Sequence, residues 1–272
     1  MPKTKVLITV KTYPALSSKY EELVCTAGLR EDGSWVRIYP VQFRRRNYDE
    51  QYSKYDWREL DLVKNTSDPR PESFRPVSDD TEIKKVGHLD TDGKGLWKER
   101  RKIVLRNLRS NLIELIEEAK DPKIATSLAV YKPREIIDFT AIPEKEREWS
   151  SEKLAFLQQG NLFEKRGDRI QIVRKLPYKF KYKFLDEKGK ERNLMIEDWE
   201  TGQLFWRMLD KYKDEKIACG KVREKYLDDF ARTKDLYFYL GTTKLNQFRA
   251  PNPFVIIGTF HPKPIKQMSL FD

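Results

Sequence analysis

From Tyr178 to Phe184 the chain alternates without interruption: Tyr-Lys-Phe-Lys-Tyr-Lys-Phe. A period of two puts Tyr178, Phe180, Tyr182 and Phe184 on one face of a β-strand and Lys179, Lys181 and Lys183 on the other, which no helix can do. Four aromatic rings need a core and three lysines need water or a polyanion. The chain must therefore build a sheet with one dry and one wet face. The strand turns through Asp186-Glu187-Lys188-Gly189 into a partner over 193–196.

Further strands follow from apolar runs and their breakers. Residues 6–10 are continuously apolar and β-branched and stop before Tyr13-Pro14. Runs 23–29 and 35–41 flank Arg30-Glu31-Asp32-Gly33-Ser34, the signal of a β-hairpin. Trp35 and Tyr39 are assigned to its core face and Arg37 to the other. Shorter runs at 61–63, 236–243 and 254–260 predict additional strands, and 127–139 is expected to be extended. Residues 65–95, with Pro69, Pro71 and Pro76 among polar residues, predict a loop.

Apolar residues at 104, 105, 108, 112, 115, 116 and 119 lie on one face of a long helix over 97–119, closed by Asp121-Pro122. Its first half carries Lys98, Arg100, Arg101, Lys102, Arg106 and Arg109 and its end carries Glu114, Glu117 and Glu118, the reverse of what the helix dipole favours. Either a solvated face or a phosphate-facing role for Arg100 and Arg101 accounts for that order. Ser150-Ser151-Glu152 can cap a short helix ended by Gly160, and 199–212 and 216–231 predict two more.

Charge narrows the partner. Fifty-four Lys and Arg against 43 Asp and Glu leave +11, a balance that favours polyanions, nucleic acid first. Arg44-Arg45-Arg46-Asn47-Tyr48, followed by Tyr52, Lys54, Tyr55 and Trp57, interleaves cations with stacking surfaces. The predicted nucleic-acid-binding residues are Arg37, Arg44, Arg45, Arg46, Tyr48, Lys54, Tyr55, Arg100, Arg101, Lys179, Lys181 and Lys183. A solvated turn, or aromatics tucked onto the sheet, is the rival reading of the arginine run.

Enzymatic chemistry has few footholds. His88, His261, Cys25 and Cys219 have no zinc-ligand spacing, and the phosphate-binding loop, dinucleotide fingerprint and serine-hydrolase elbow are missing from the sequence. No metal or cofactor is expected. Glu197, Asp198 and Glu200 around Trp199 offer the one route to catalysis, as carboxylates holding magnesium for phosphodiester cleavage. An acid followed by Glu-x-Lys is not found beside them, and Asp198 is more simply a helix N-cap. Two distant cysteines, no signal peptide and no run long enough to span a bilayer predict a cytoplasmic protein without a membrane partner.

Two resemblances extend this reading. Gln267-Met268-Ser269-Leu270-Phe271 resembles the motif by which bacterial polymerases and repair proteins bind the β sliding clamp. The resemblance implies that Leu270 and Phe271 fill an apolar cleft, Met268 lies along its rim and Gln267 hydrogen-bonds at its mouth. Val24-Cys25-Thr26-Ala27-Gly28 followed by Gly33-Ser34-Trp35-Val36-Arg37 is similar to the opening of dual-OB-fold proteins, departing from their shorter Arg-Pro pattern at Ile38-Tyr39-Pro40. That resemblance implies a small barrel binding single-stranded or distorted nucleic acid.

The expected fold is α+β: a small OB-like β-barrel or strongly bent antiparallel sheet with helical insertions and a disordered C-terminal tail. Expected regions are 1–78, β-rich and nucleic-acid-binding; 79–160, a helical insertion; 161–262, a second α+β region; and 263–272, a flexible tail. The expected function is that of a DNA-associated accessory protein recruited by the sliding clamp. The alternatives are a clamp-recruited nuclease or modifying enzyme, and a clamp-occupying scaffold that does not touch DNA.

Overall fold

The computed structural model describes residues 3–17, 21–46, 48–160 and 172–265. The proposed clamp motif at 267–271 lies outside them, and so does the side chain of Arg45.

The first half is built on β1 (Thr4–Lys11), which pairs antiparallel with β4 (Thr26–Leu29) on one side and β6 (Asp56–Leu60) on the other. Between them, β2 (Ala15–Ser17) and β3 (Glu21–Leu23) form a separate hairpin. β4 turns into β5 (Trp35–Ile38) through a loop in which Gly33 takes a φ of 81°, open to glycine at no steric cost. β5 runs parallel to β8 (Ser73–Pro76), which pairs antiparallel with β7 (Leu62–Lys64). Only Asp61 separates β6 from β7. One bent strand therefore pairs with β1 at one end and β8 at the other, and the ladder closes. This is the connectivity of an OB-type Greek-key barrel. Val6, Ile8, Val36, Ile38 and Leu60 fill it, with Phe43 and Tyr52. β9 (Lys84–His88) extends the sheet beyond β6.

The second half repeats the plan. After α1 (Lys98–Val104), β10 (Leu108–Arg109) and α2 (Leu112–Lys120) come β11 (Leu128–Tyr131) and β12 (Glu135–Pro143), separated by Lys132-Pro133-Arg134. β12 pairs with β13 (Tyr178–Leu185) and β13 with β14 (Glu191–Ile196), both antiparallel. α3 (Ser151–Gly160) precedes β13. β14 runs parallel to β16 (Phe254–Phe260), and β16 is antiparallel to β15 (Tyr237–Thr242), which returns to β11. Again a bent strand, here β11 and β12, closes five positions. Phe139, Phe180, Tyr182, Phe184, Phe238 and Ile256 lie in this core, so the aromatic face expected of β13 points inward. α4 (Trp199–Tyr212), α5 (Glu215–Arg223) and a π-helical stretch (Glu224–Ala231) are inserted between β14 and β15 and contribute Phe205, Val222, Tyr226 and Leu227.

The barrels pack side by side through residues that alternate with those of their cores. Leu7, Val10, Ala27, Leu29, Tyr55 and Trp57 of the first meet Leu128, Val130, Tyr237, Tyr239, Ile257 and Phe260 of the second. Trp35 meets Tyr239 edge-on, with 6.0 Å between ring centroids. α4 also rests on the first barrel: a Cβ at Gly202 would fall inside the Tyr13 ring. That ring cannot yield, because its hydroxyl accepts from Trp206 Nε1 at 2.8 Å and donates to the Arg174 carbonyl at 2.7 Å.

The mixed α+β class is what the chain adopts, with several local corrections. The helix expected over 97–119 is two helices. Asn111 caps the second by accepting from the Glu114 amide at 3.0 Å, while Leu108 and Arg109 pair with β11. The misplaced charges resolve as a tertiary pair, Arg109 with Glu118 at 2.6 Å. Residues 65–95 carry β8 and β9, and 79–160 holds four strands besides its helices. Arg37 is not opposite Trp35: two apart in β5, they share one face, the one turned to the second barrel, while Val36 and Ile38 point into the first. Among the described residues no helix is long and apolar enough to cross a membrane.

Candidate ligand site between the barrels

The segment entering β6 is held in an unusual conformation. Tyr55 has a φ of 69°, costly for a residue with a Cβ, yet its amide donates to the Ile8 carbonyl at 2.6 Å and its carbonyl accepts from Leu89 at 2.9 Å. Pinned in this way, Lys54 and Tyr55 project toward the second barrel. Trp97, just ahead of α1, is also left-handed at a φ of 54°, and its ring meets that of Tyr55 at 6.0 Å. Both line a cavity of 460 Å³ with Asp198, Glu200, Tyr226, Phe230 and His261.

The floor of the cavity is charged. Lys54 Nζ donates to Asp198 Oδ1 at 2.8 Å and lies 2.6 Å from Glu200 Oε2. Asp198 occupies the N-cap position of α4, but its side chain makes no cap bond and turns to Lys54 instead. Burial lifts the Asp198 carboxyl well above the usual range, and the neighbouring Glu200 charge lifts it further. Burial opposes ionisation of Glu200 as well, but the Lys54 ammonium and the hydrogen bond from Asp198 outweigh it and bring Glu200 down to about 2. Lys54 is raised, because the two carboxyls more than offset its burial. The floor therefore presents an ammonium held between a buried carboxyl, whose charged form burial disfavours, and a carboxylate, with 46% of the Glu200 side chain still accessible. A protonated lysine is no nucleophile, and its ammonium already stands where a metal ion would bridge Asp198 and Glu200.

The walls are aromatic. His261 stacks on Phe230 with 3.6 Å between centroids and meets Trp97 at 5.1 Å. Burial, with Lys54 and Lys225 nearby, brings its imidazole down to about 3, so it is a neutral ring at neutral pH. Arg100 backs Tyr55, its guanidinium 3.8 Å from the ring centroid, while its Nε donates to the Leu89 carbonyl at 2.7 Å. Arg207 and Lys225 stand at the rim, both exposed.

Of the predicted residues, the structure gathers Lys54, Tyr55, Asp198 and Glu200 here, with Arg100 behind. Glu197 is not part of the group. One residue before Asp198, it lines a different cavity of 350 Å³ with Cys25, Arg37 and Arg70, and burial raises its carboxyl. Among the described residues no cluster of three or more His, Cys, Asp or Glu is arranged to hold a metal ion.

Several expected phosphate contacts are structural ties. Arg37 is 2% exposed and donates to the Ser127 carbonyl and hydroxyl at 3.0 and 3.1 Å, joining the barrels. Arg46 donates to the carbonyls of Thr81 and Asp79. Arg101 binds Asp235 at 3.0 Å and the Lys263 carbonyl at 2.9 Å. Tyr55 and Arg100 are buried too, and Lys54 is half-buried. Chain alternation could not foresee this, because the surface these side chains face is supplied by residues tens to hundreds of positions away. Arg44 lines an open cleft of 680 Å³ with Arg174, Trp199 and Trp206, and Tyr48 is 93% exposed. Lys179, Lys181 and Lys183 stand on the outer face of β13, with Lys179 paired to Glu144 at 2.9 Å and Lys183 to Glu191 at 2.7 Å. Trp97, Phe230 and His261, which complete the cavity, carry no local sequence signature.

Two five-position barrels of OB-type connectivity, joined across an aromatic cavity with a charged floor, define a double-barrel protein. The chain belongs to the family described as a domain of unknown function, DUF8757, whose model matches residues 109–272. Residues 2–106 match a second domain of unknown function, DUF8758. A solved structure of a murine DNA-binding protein bound with double-stranded DNA aligns with 99% of this chain and 100% of its own, at 10% identity and a TM-score of 0.32. No curated protein matches the chain.

Proposed function

We propose that the protein binds nucleic acid on the outer face of β13 and β14. Strands two and three of an OB-type barrel are a recurrent oligonucleotide-binding face. In the first barrel those strands are β4 and β5, and their outer residues, Ala27, Leu29, Trp35 and Arg37, are spent on packing against the second. In the second barrel they are β13 and β14. Their outer face is open, and it carries Lys179, Lys181 and Lys183 between Asp138, Thr140 and Ile142 on one side and Asn193 and Met195 on the other. This open basic ladder is the observation that carries the reading. The two ion pairs on it are exposed and exchange readily for phosphates.

The triple variant Lys179→Ala, Lys181→Ala, Lys183→Ala is expected to keep its fold and to weaken binding of DNA oligonucleotides. The salt slope of log K should shrink by roughly 2 to 3, at 0.7 to 0.9 per lost phosphate contact. Fluorescence anisotropy across salt concentrations measures both, and an unchanged slope defeats the reading.

Recruitment by the sliding clamp is a second proposal and rests on the match at 267–271. The last described residue, Ile265, is exposed. Leu270→Ala with Phe271→Ala should abolish capture by purified clamp without lowering the melting temperature. Retained capture, or a destabilised protein, removes the proposal.

A further inference from the structure

We propose that the cavity between the barrels takes a single nucleobase with guanine's hydrogen-bonding edge, extruded from a bound strand; this rests on the nucleic-acid reading above. The cavity of 460 Å³ is in the range of small-molecule sites. Trp97, Phe230 and His261 line it with aromatic rings, the kind of surface against which an unstacked base settles. The floor is polar and asymmetric. Lys54 and Glu200 put a cationic donor and an anionic acceptor side by side, 2.6 Å apart. Guanine presents the complement: the N1 and N2 hydrogens are adjacent donors for a carboxylate, and O6 beside them accepts from an ammonium. Adenine offers one donor with an acceptor, while cytosine and uracil are smaller and leave part of the walls uncovered. At the rim, Arg207 is exposed and has a charge to meet the phosphate of the extruded nucleotide.

The cavity can also be read as a site for a free guanine nucleotide, since the base, sugar and phosphate are the same. Titration calorimetry with the full chain separates the sources. GMP is expected to bind at one site, about tenfold or more tighter than AMP, CMP or UMP, in line with the discrimination of one bidentate base contact. Glu200→Gln should remove that preference. Arg207→Ala should weaken GMP severalfold and leave guanosine unaffected, a comparison that does not depend on Glu200. An oligothymidylate carrying one guanine should bind about tenfold tighter than oligothymidylate alone. GMP binding without that difference would identify the free nucleotide and overturn the strand as source. Mononucleotide binding that ignores base identity, that survives Glu200→Gln unchanged, or that is undetectable at millimolar concentration overturns the base site itself. The lysine ladder on β13 takes no part in mononucleotide binding. Loss of guanine preference with strand affinity intact therefore rejects the pocket alone, and the reverse result rejects the ladder alone.

Discussion

Lys54 and Asp198 are 144 positions apart in the chain and 2.8 Å apart in the fold. They join the entry to β6 of the first barrel to the start of α4 in the second, and with the half-exposed Glu200 they form one charge group.

The two partners should respond unequally to substitution. Lys54→Met removes the ammonium that holds both carboxyls and leaves the buried Asp198 without its ion-pair partner; breaking a buried pair costs about 3 to 5 kcal/mol, and screening of the half-exposed Glu200 brings the expected cost to about 3 kcal/mol. Asp198→Asn keeps a side chain of the same shape, and neutral, where burial already disfavours the charged carboxyl, so its cost should be smaller, about 1 kcal/mol. Urea unfolding midpoints of the two variants make the comparison. Equal costs would mean that Asp198 is ionised and that the floor of the cavity is differently charged.

Arg37 serves stability rather than recognition. Its guanidinium donates to both oxygens of Ser127 from within the contact between the barrels. Arg37→Ala should lower stability by about 2 to 3 kcal/mol, the scale of a charge-assisted bond whose acceptor is left unpaired. The salt slope of nucleic-acid binding should not change. A reduced slope with stability intact would return Arg37 to the binding surface.

The contrast between Arg37 and Lys181 shows how much was legible in the sequence. Alternation fixed the strand at Tyr178–Phe184 and turned its aromatic rings inward, because a period of two is set by the strand's own backbone. It also exposed the lysines of that strand. Arg37 lies on an equally clear strand, but what its face meets is another barrel, and no local pattern encodes that. The break of the helix expected over 97–119 has the same origin: Leu108 and Arg109 are drawn into pairing with β11, and the apolar spacing reads the same whether one helix or two bury it. The repeated barrel plan leaves no internal sequence repeat, since each barrel closes through a different bent strand, at Asp61 in one and at 132–134 in the other. Asp198 and Glu200 at the head of α4 were legible as neighbours, though not the turning away of Glu197, and their partner Lys54 and the rings above them come together only in three dimensions.

His261 makes stability depend on pH. Its folded value is brought down to about 3 from 6.5. Between those values the unfolded chain binds more protons than the native one, so this contribution is complete above pH 6.5 and is lost as pH falls below it. The slope is at most about 1.4 kcal/mol per pH unit. Asp56 acts in a lower window. Burial opposes its ionisation, but hydrogen bonds from the Ser53 amide, His88, Lys85 and Arg58 bring it to about 2, so its contribution fades only below 3.8. Urea midpoints at pH 7 and pH 5 should differ in the wild type and converge in His261→Gln. An equal difference in both would show that other groups set the dependence.

The two family matches divide the chain near residue 107, but the contact between the barrels does not divide there. Leu7, Leu29 and Trp57 on one side, and Val130, Tyr239 and Phe260 on the other, form a third core that belongs to neither half. A gene fragment encoding one barrel would yield a product with a broad greasy flank, prone to clump with its own copies as it left the ribosome. Where either domain occurs by itself in another protein, that flank must have been recoloured with polar residues or covered by a different companion.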